Sequence, residues 1–320
     1  MRPTKNIALL AGDGIGPEVM AQAVKVIEAL SKKFNLRFSF QDGLIGGIAI
    51  EKTSNPLPQE TIELCKNSDA ILLAAIGHPR YSDPSMAIRP EQGLLALRKE
   101  LSLFCNVRPI QAYDSLLEHS PLKRQVIEGV DFVVYRELTG GIYFGESGRS
   151  ADKKYAFDKC EYHDYEIERI VRLAFQAAEF PNVEQDFLYI DNACMQLILN
   201  PKQFDVIVTS NIFGDIISDE GSVIGGSLGL LPSASIGSEV ALFEPVHGSW
   251  PEAAGKDIAN PIAMILSTAM MMDYLNYPEA GQSIRQAVLQ SMNDRIVTGD
   301  LHADSGFSCT EVGSTIAELI

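Results

Sequence analysis

The sequence predicts an α/β protein built on a mostly parallel sheet, and three observations carry that expectation. Short, nearly unbroken apolar runs such as "NIALLAG" (6–12), "DAILLAAIG" (69–77) and "FDVIVTS" (204–210) have the character of strands covered on both faces. Between such runs lie amphipathic stretches of helical period. Their alternation, with no internal repeat or low-complexity linker, is the βαβ pattern that generates parallel sheets.

Taken in order, "NIALLAG" ends in glycine as a buried first strand should. "PEVMAQAVKVIEALSKKF" (17–34) then places Met20, Ala23, Val24, Ile27 and Leu30 on one helical face, with Pro17 suited to a first turn. "LRFSFQD" (36–42) alternates like a strand, "PQETIELCKNS" (58–68) is helical and "DAILLAAIG" is a strand. "PEQGLLALRKEL" (90–101) reads as a helix before the extended "LFCNVRP" (103–109). A second series runs through the strand "VDFVVYREL" (130–138), a glycine- and lysine-rich segment (139–158) and a helix over 164–179. Next come an acidic strand "VEQDFLYID" (183–191), a short helix "NACMQLIL" (192–199), the strand "FDVIVTS" and a helix from Phe213. A glycine-rich stretch (221–231) precedes a long loop around one short strand (234–261). Helices near 261–277 and 279–296, and one after Thr310, close the chain.

With 320 residues, 46% of them hydrophobic, the chain has material for a large core, and two lobes are expected. A formal charge of −16 argues against nucleic acid or an anionic membrane as partner. Cys65, Cys105, Cys160, Cys194 and Cys309 are far apart, odd in number and form no C-x-x-C pair, so they read as reduced thiols. The apolar run before Asp13 is only about six residues, short of a ~7–15-residue signal core. "PIAMILSTAMMM" falls short of the ~20 residues that span a bilayer. A soluble cytoplasmic protein is expected.

"NIFGDIISDE" is the most informative short segment. Asp215 and Asp219 stand four apart near a helix start, so both carboxylates share a face and repel unless a cation lies between them. An oxygen-liganded Mg²⁺ or Mn²⁺ is the natural partner. A D-x-x-x-D pair is ordinarily a solvated helix face, but this one follows a buried strand, where open α/β sheets place ligands. Arg98, Arg108 and Arg136 lie at or near expected strand ends, and converging they would clamp a dicarboxylate. Tyr143, in "GGIYFGE", offers a proton donor or acceptor. "GDGIGPE" (12–18) fits neither G-x-G-x-x-G nor a P-loop, so an ordinary Rossmann site is not supported. The better cofactor candidate is "EPVHGSWPEAAGKDIANP", where His247, Gly248, Glu252 and Asn260 could hold a ribose and an adenine. His78, His119, His163 and His302 show no ligand spacing.

"GDGIGPE", "RPEQGLLALRKEL", "NVRP", "YRELTGGIYFGE", "NIFGDIISDE", "GSLGLLPSAS" and "EPVHGS", in that order, span nearly the whole chain. Together they resemble the β-decarboxylating dehydrogenases of the isocitrate/isopropylmalate family, on the isopropylmalate side. The resemblance implies two lobes, neither a standard Rossmann domain, around a cleft: 1–103 with 226–320, and 104–225. It implies a homodimer joined in part by an arm near 140–158. It also implies NAD⁺-dependent oxidation and decarboxylation of a 2-hydroxy acid, with Mg²⁺ or Mn²⁺ at Asp215, Asp219 and the partner subunit's Asp191. Arg98, Arg108 and Arg136 would hold the malate carboxylates, and Tyr143 would protonate the enol carbon after CO₂ leaves. Glu91, Leu94 and Leu95 match the apolar wall for an isopropyl group, worth roughly 0.8 kcal/mol per CH₂ buried. Isopropylmalate is therefore expected ahead of isocitrate, with homoisocitrate, malate or tartrate as alternatives. Glu252 sits at the family's ribose-binding acid, usually aspartate, and favours NAD over NADP. Trp250 stands where a small residue is usual.

One expected part is missing. Between "RLAFQAA" and the acidic strand, members of this family carry a strand, a D-K-x-N-type motif and a long helix, about thirty residues by ordinary element lengths. The motif's lysine accepts the substrate hydroxyl proton in the neighbouring subunit. Here Glu179 meets Phe180 directly, and Glu161 to Asn200 contains no lysine. Three readings follow: the native protein carries a segment that this sequence lacks; the chain is a slowed dehydrogenase; or it is a non-catalytic ligand-binding homologue.

Overall fold

The computed structural model describes residues 3–81, 83, 86–177, 183–302 and 306–320. Strand β1 (Lys5–Gly12) leads into α1 (Gly16–Phe34), β2 (Phe38–Asp42), two short helices α2 (Gly47–Thr53) and α3 (Gln59–Lys66), and β3 (Ala70–Ala75). Helix α4 (Pro90–Glu100) precedes β4 (Cys105–Gln111), the one-turn α5 (Arg124–Ile127) and β5 (Asp131–Glu137). A small hairpin of β6 (Ser147–Arg149) and β7 (Ala156–Asp158) comes before α6 (Asp164–Ala177). Then follow α7 (Ile190–Leu199), β8 (Val206–Thr209), α8 (Asn211–Gly225), β9 (Pro232–Ile236) and β10 (Ala241–Pro245). Helices α9 (Ile262–Tyr274), α10 (Pro278–Asn293) and α11 (Cys309–Leu319) complete the chain.

Eight strands form one sheet in the order β2-β1-β3-β10-β9-β4-β5-β8. Four of the seven pairings are parallel, so the expected parallel character holds at both ends of the sheet. The antiparallel pairings are grouped in the middle, where the β9–β10 hairpin enters beside β4 and β4 pairs with β5. Two adjacent central strands therefore replace the expected loop around one short strand.

The local reasons are simple. All six residues of β3 are buried, as its unbroken apolar run requires. Helix α1 carries a proline in its first turn and ends on Asn35 in the left-handed region. Of its expected apolar face, Met20, Ala23, Ile27 and Leu30 are buried and Val24 is half-buried. Helix α9 is buried almost all round, which explains why "PIAMILSTAMMM" has so little polar character. The packing splits by sheet face. Helices α1, α9, α10 and α11 make the largest apolar cluster. A smaller one under α3 and α4 takes Leu10, Ile71, Leu73 and Leu97. Beyond β9, α7 and α8 cover one face of β4 and β5, while α6 covers the other through Ile170 and Ala174.

Three further expectations change. Helix α8 starts at Asn211, not Phe213, and runs through Gly221 into the glycine-rich stretch. Helix α2 was not foreseen. "VEQDFLYID" is not a strand: residues 183–189 have no regular structure and Ile190 already begins α7. A strand is made by its ladder, and this segment pairs with no strand among the described residues, although β8 ends the sheet with its outer edge open. Phe187 and Tyr189 are consequently 82% and 87% exposed. The expected join at Glu179–Phe180 lies outside the described residues. All five cysteines are free, and burial pushes the Cys65 and Cys309 thiols up to about 12, so they remain protonated. No helix among the described residues is long and apolar enough to cross a membrane.

Candidate active site

Antiparallel pairing sets Asn106 opposite Arg136 and Arg108 opposite Val134, so both arginines project from the sheet face that α8 covers. Glycine at 214 makes this approach possible, because a Cβ there would come within 2.6 Å of the Arg136 side chain. Parallel β5 and β8 end on the same side, and α8 begins at that end with Asp215 in its second turn.

Asp215 is where these elements meet. Its Oδ1 accepts from Arg136 Nη1 at 2.5 Å and lies 3.4 Å from Arg108 Nη2. Its Oδ2 accepts from the Tyr143 hydroxyl at 2.9 Å. Asp219, one turn on, receives Arg108 Nη1 at 3.3 Å. Burial opposes charge on Asp215, but the Arg136 and Arg108 guanidiniums win and hold its carboxyl below the ordinary range. Burial, with Asp215 alongside, raises the Asp219 carboxyl despite Arg108. Burial and the repulsion of Arg108 bring Arg136 down to about 10, still cationic at neutral pH. Burial and the contact with Asp215 raise the Tyr143 phenol, which therefore keeps its proton.

Arg98, on α4, reaches the same region but pairs with Glu244 of β10 at 2.9 Å. Leu94 packs on the apolar cluster beneath α4, Leu95 is half-buried one residue on, and Glu91 is exposed in the first turn. Sequence reasoning missed Glu244, although an acid inside the apolar run "ALFEP" is a signal for a buried partner. It also missed Asn106 and Ser218, which accept from Arg108 Nε at 2.7 Å and Nη1 at 2.6 Å, and Asn211, which accepts from Arg136.

The cofactor candidates follow β10. The His247 Nδ1 lies 3.0 Å from the Gly248 carbonyl oxygen, while its Nε2 is buried with no partner among the described residues. Burial lowers the imidazole, keeping it neutral. A side chain on Gly248 would meet nothing within 4 Å. Glu252 is exposed in a short 3-10 turn after Trp250, whose backbone is left-handed at φ 34°. Asn260 is committed to structure, donating to Asp300 and accepting from the Ile262 N–H. "GDGIGPE" ties several loops together through its acids, only Glu18 reaching the loop after β10. The Asp13 carboxylate accepts the N–H groups of Gly47, Ile48 and Gly77 at 2.8–2.9 Å. Glu18 accepts those of Gly255 and Asp257.

An orphaned buried nitrogen beside open space fits a purine or ribose at His247 and Gly248. The paired hard-oxygen donors of Asp215 and Asp219 fit a hard divalent cation. Among the described residues of one chain, no three acidic, histidine or cysteine side chains are gathered around a common point. Asp191 stands apart, exposed in the first turn of α7, with its Oδ1 accepting the Asn192 N–H.

The sequence pattern of the isocitrate/isopropylmalate dehydrogenase family matches this chain over residues 6–179 and 176–316. The 3-isopropylmalate dehydrogenase of Wolinella succinogenes is 48% identical, covering 98% of this chain and 97% of its own length. That of Bacteroides fragilis is 44% identical, with 98% of each chain covered. The alignment with the Bacteroides protein runs over 349 positions, while 98% of 320 residues supplies about 314, leaving about 35 positions where only the relative has a residue. Among solved structures, an isocitrate dehydrogenase from Methylococcus capsulatus superposes with a TM-score of 0.87 at 32% identity, covering 98% of this chain and 99% of its own. A β-decarboxylating dehydrogenase from Thermococcus kodakarensis gives 0.78 at 32% identity, covering 98% and 96%. Both the residues gathered at α8 and the agreement along almost the full length place the chain in one group: it belongs to the isocitrate/isopropylmalate dehydrogenase family.

Proposed function

We propose that this chain carries out the NAD⁺-dependent oxidative decarboxylation of 3-isopropylmalate to 4-methyl-2-oxopentanoate in leucine biosynthesis. The carrying observation is the gathering of Arg108, Arg136 and Tyr143 around Asp215, with Arg98 close by. Three cations in one place suit a substrate with two carboxylates better than a neutral hydroxy compound. Leu94 and Leu95 give the isopropyl group an apolar wall and offer nothing to a third carboxylate.

In this reading the cleft lies between a lobe of residues 1–103 with 226–320 and a lobe of 104–225. His247, Gly248, Glu252 and Asn260 hold NAD⁺. Asp215, Asp219 and the partner subunit's Asp191 hold Mg²⁺ or Mn²⁺. When bound, the nucleotide accepts a hydride and the cation draws electron density from the substrate oxygen. The chain's own residues do the rest. Arg98, Arg108 and Arg136 fix the carboxylates, and the neutral His247 admits the purine edge. Tyr143, kept protonated, delivers its proton to the carbon that CO₂ leaves. A homodimer is the natural assembly, because α7 and α8 pack together and leave Met195, Leu199, Ile216 and Val223 exposed.

The base that removes the hydroxyl proton is the exception. The family match breaks at residues 176–179 and Glu161 to Asn200 has no lysine, which supports a slowed enzyme. Loss of a general base lowers turnover by about 10²–10⁴-fold. NADH absorbance with isopropylmalate, NAD⁺ and Mg²⁺ at high enzyme concentration tests the proposal. Slow turnover supports it. Saturable binding without turnover leaves a ligand-binding homologue instead, and an intact mass above 35.0 kDa would reveal a longer native chain.

A further inference from the structure

Asn211 is the first residue of α8 and is 1% exposed, yet its side chain does not cap the helix. Each of its polar groups goes to a different element. The backbone N–H donates to the Tyr162 hydroxyl at 2.9 Å, and Nδ2 donates to the Gly140 carbonyl oxygen at 2.9 Å. Oδ1 accepts two bonds from Arg136, from Nε at 3.1 Å and Nη2 at 2.8 Å.

Resting on the proposed substrate, we infer that Asn211 is a positioning residue that sets the plane of the Arg136 guanidinium for carboxylate binding. Two bonds to one edge fix a planar group, leaving Nη1 aimed at the Asp215 side of the site. The anchor is a neutral amide. A carboxylate in its place would hold the same edge but cancel the charge that the substrate needs. The same amide ties Arg136 to Tyr143. Gly140 is fixed through its carbonyl and packed against the Tyr162 ring, where a Cβ would come within 2.6 Å of the ring. Tyr143 lies three residues beyond. One side chain thus couples the anion-binding arginine on β5 to the proton donor in the following loop.

Calorimetric titration of isopropylmalate with Mg²⁺ tests this as a double-mutant cycle. Asn211→Ala should weaken binding about tenfold, as expected for a lost hydrogen bond to a charged group. In an Arg136→Lys background, where no fork remains to orient, the same change should cost less than about twofold. Equal losses in both backgrounds, or no loss, overturn the inference, because a purely structural role is additive. Tyr162→Phe, which removes the acceptor of the Asn211 N–H together with a hydroxyl contact to the neighbouring Ser210, should weaken binding about threefold if Asn211 must be held. An unchanged affinity in that variant counts against the coupling. The ¹⁵N signal of the Arg136 Nε–H supplies a readout without ligand: it should be protected from exchange in the unmutated chain and lose that protection in Asn211→Ala. If the unmutated chain binds no isopropylmalate, the functional proposal fails, while persistence of protection in Asn211→Ala separately refutes the positioning role.

Discussion

Asp215→Asn is the sharpest test of the charge arrangement. The Arg108 and Arg136 side chains are only 7% and 4% exposed, and Asp215 is the carboxylate they share. Breaking a fully buried ion pair costs about 3–5 kcal/mol. Asp215 is one-third exposed, so water screens part of that loss, and about 2 kcal/mol is the expected destabilisation without ligand. Asparagine can still accept from Arg136 through its carbonyl oxygen and can donate from its amide nitrogen to the Tyr143 hydroxyl oxygen, so the change is electrostatic rather than steric. Ligand dependence should move the opposite way. With no carboxylate competing for the guanidiniums, metal-free affinity for a dicarboxylate such as isopropylmalate should rise, while the extra stabilisation that Mg²⁺ adds to it should vanish. The pH response follows with a defined sign. A carboxyl held below its unfolded value of about 3.9 adds stability above that pH and loses it as pH falls through the folded value, so the variant should show a flatter acid limb. Urea unfolding with and without each ligand, from pH 7 to pH 3, measures all of this. Unchanged stability together with weaker metal-free dicarboxylate binding would refute the reasoning.

Other perturbations reach different parts of the molecule. On the proposed reading, grafting a relative's strand–motif–helix between Glu179 and Phe180 should raise kcat by about 10²–10⁴-fold, and changing the graft's lysine to alanine should remove the gain. Leu94→Ser with Leu95→Asn should weaken isopropylmalate binding by about 2 kcal/mol, because the three carbons of the isopropyl group lose their apolar wall, and should shift preference toward isocitrate in competition assays. Val208→Lys, at a 40% exposed position on the open edge of β8, should lower self-association in light scattering and leave the melting temperature nearly unchanged. His247, lowered by burial, binds fewer protons folded than unfolded. Stability should therefore fall as pH drops below about 6.5, and His247→Asn should flatten that fall in melts between pH 8 and 5.

What was legible in the sequence depended on whether a residue acts alone or through a partner. β3 announced itself because both faces are covered, leaving a run of six apolar residues. β9 did not. "PSASI" puts serines at 233 and 235 in the middle of a sheet, and only pairing explains them: Ser233 donates to the Glu244 carbonyl oxygen and Ser235 accepts from Asn106. The same division runs through the site. Asp215 and Asp219 stood out by spacing and the arginines by context. Glu244, Asn211 and Asp13 act by holding other groups, and a single sequence does not reveal what they hold.

The irregular segment before α7 obeys the same division. "DFLYI" has the aromatic and branched residues of a strand, yet residues 183–189 stay irregular. Propensity supplies a preference of about 1 kcal/mol, whereas a strand is made by its ladder, and this segment has no paired neighbour among the described residues even though the outer edge of β8 is open. On the proposed reading, the absent family segment would have supplied both that neighbour and the general base. The structural and catalytic deficits then have one origin and cannot be repaired separately. A lysine introduced by point substitution near residue 185 would sit on a chain with no ladder to aim it. General-base catalysis requires a heavy-atom distance of about 2.6–3.2 Å to the hydroxyl, which an irregular exposed segment does not hold. Recovery of turnover should therefore track recovery of the strand, with grafts that restore amide protection at residues 186–190 also restoring rate, and lysine-only variants restoring neither.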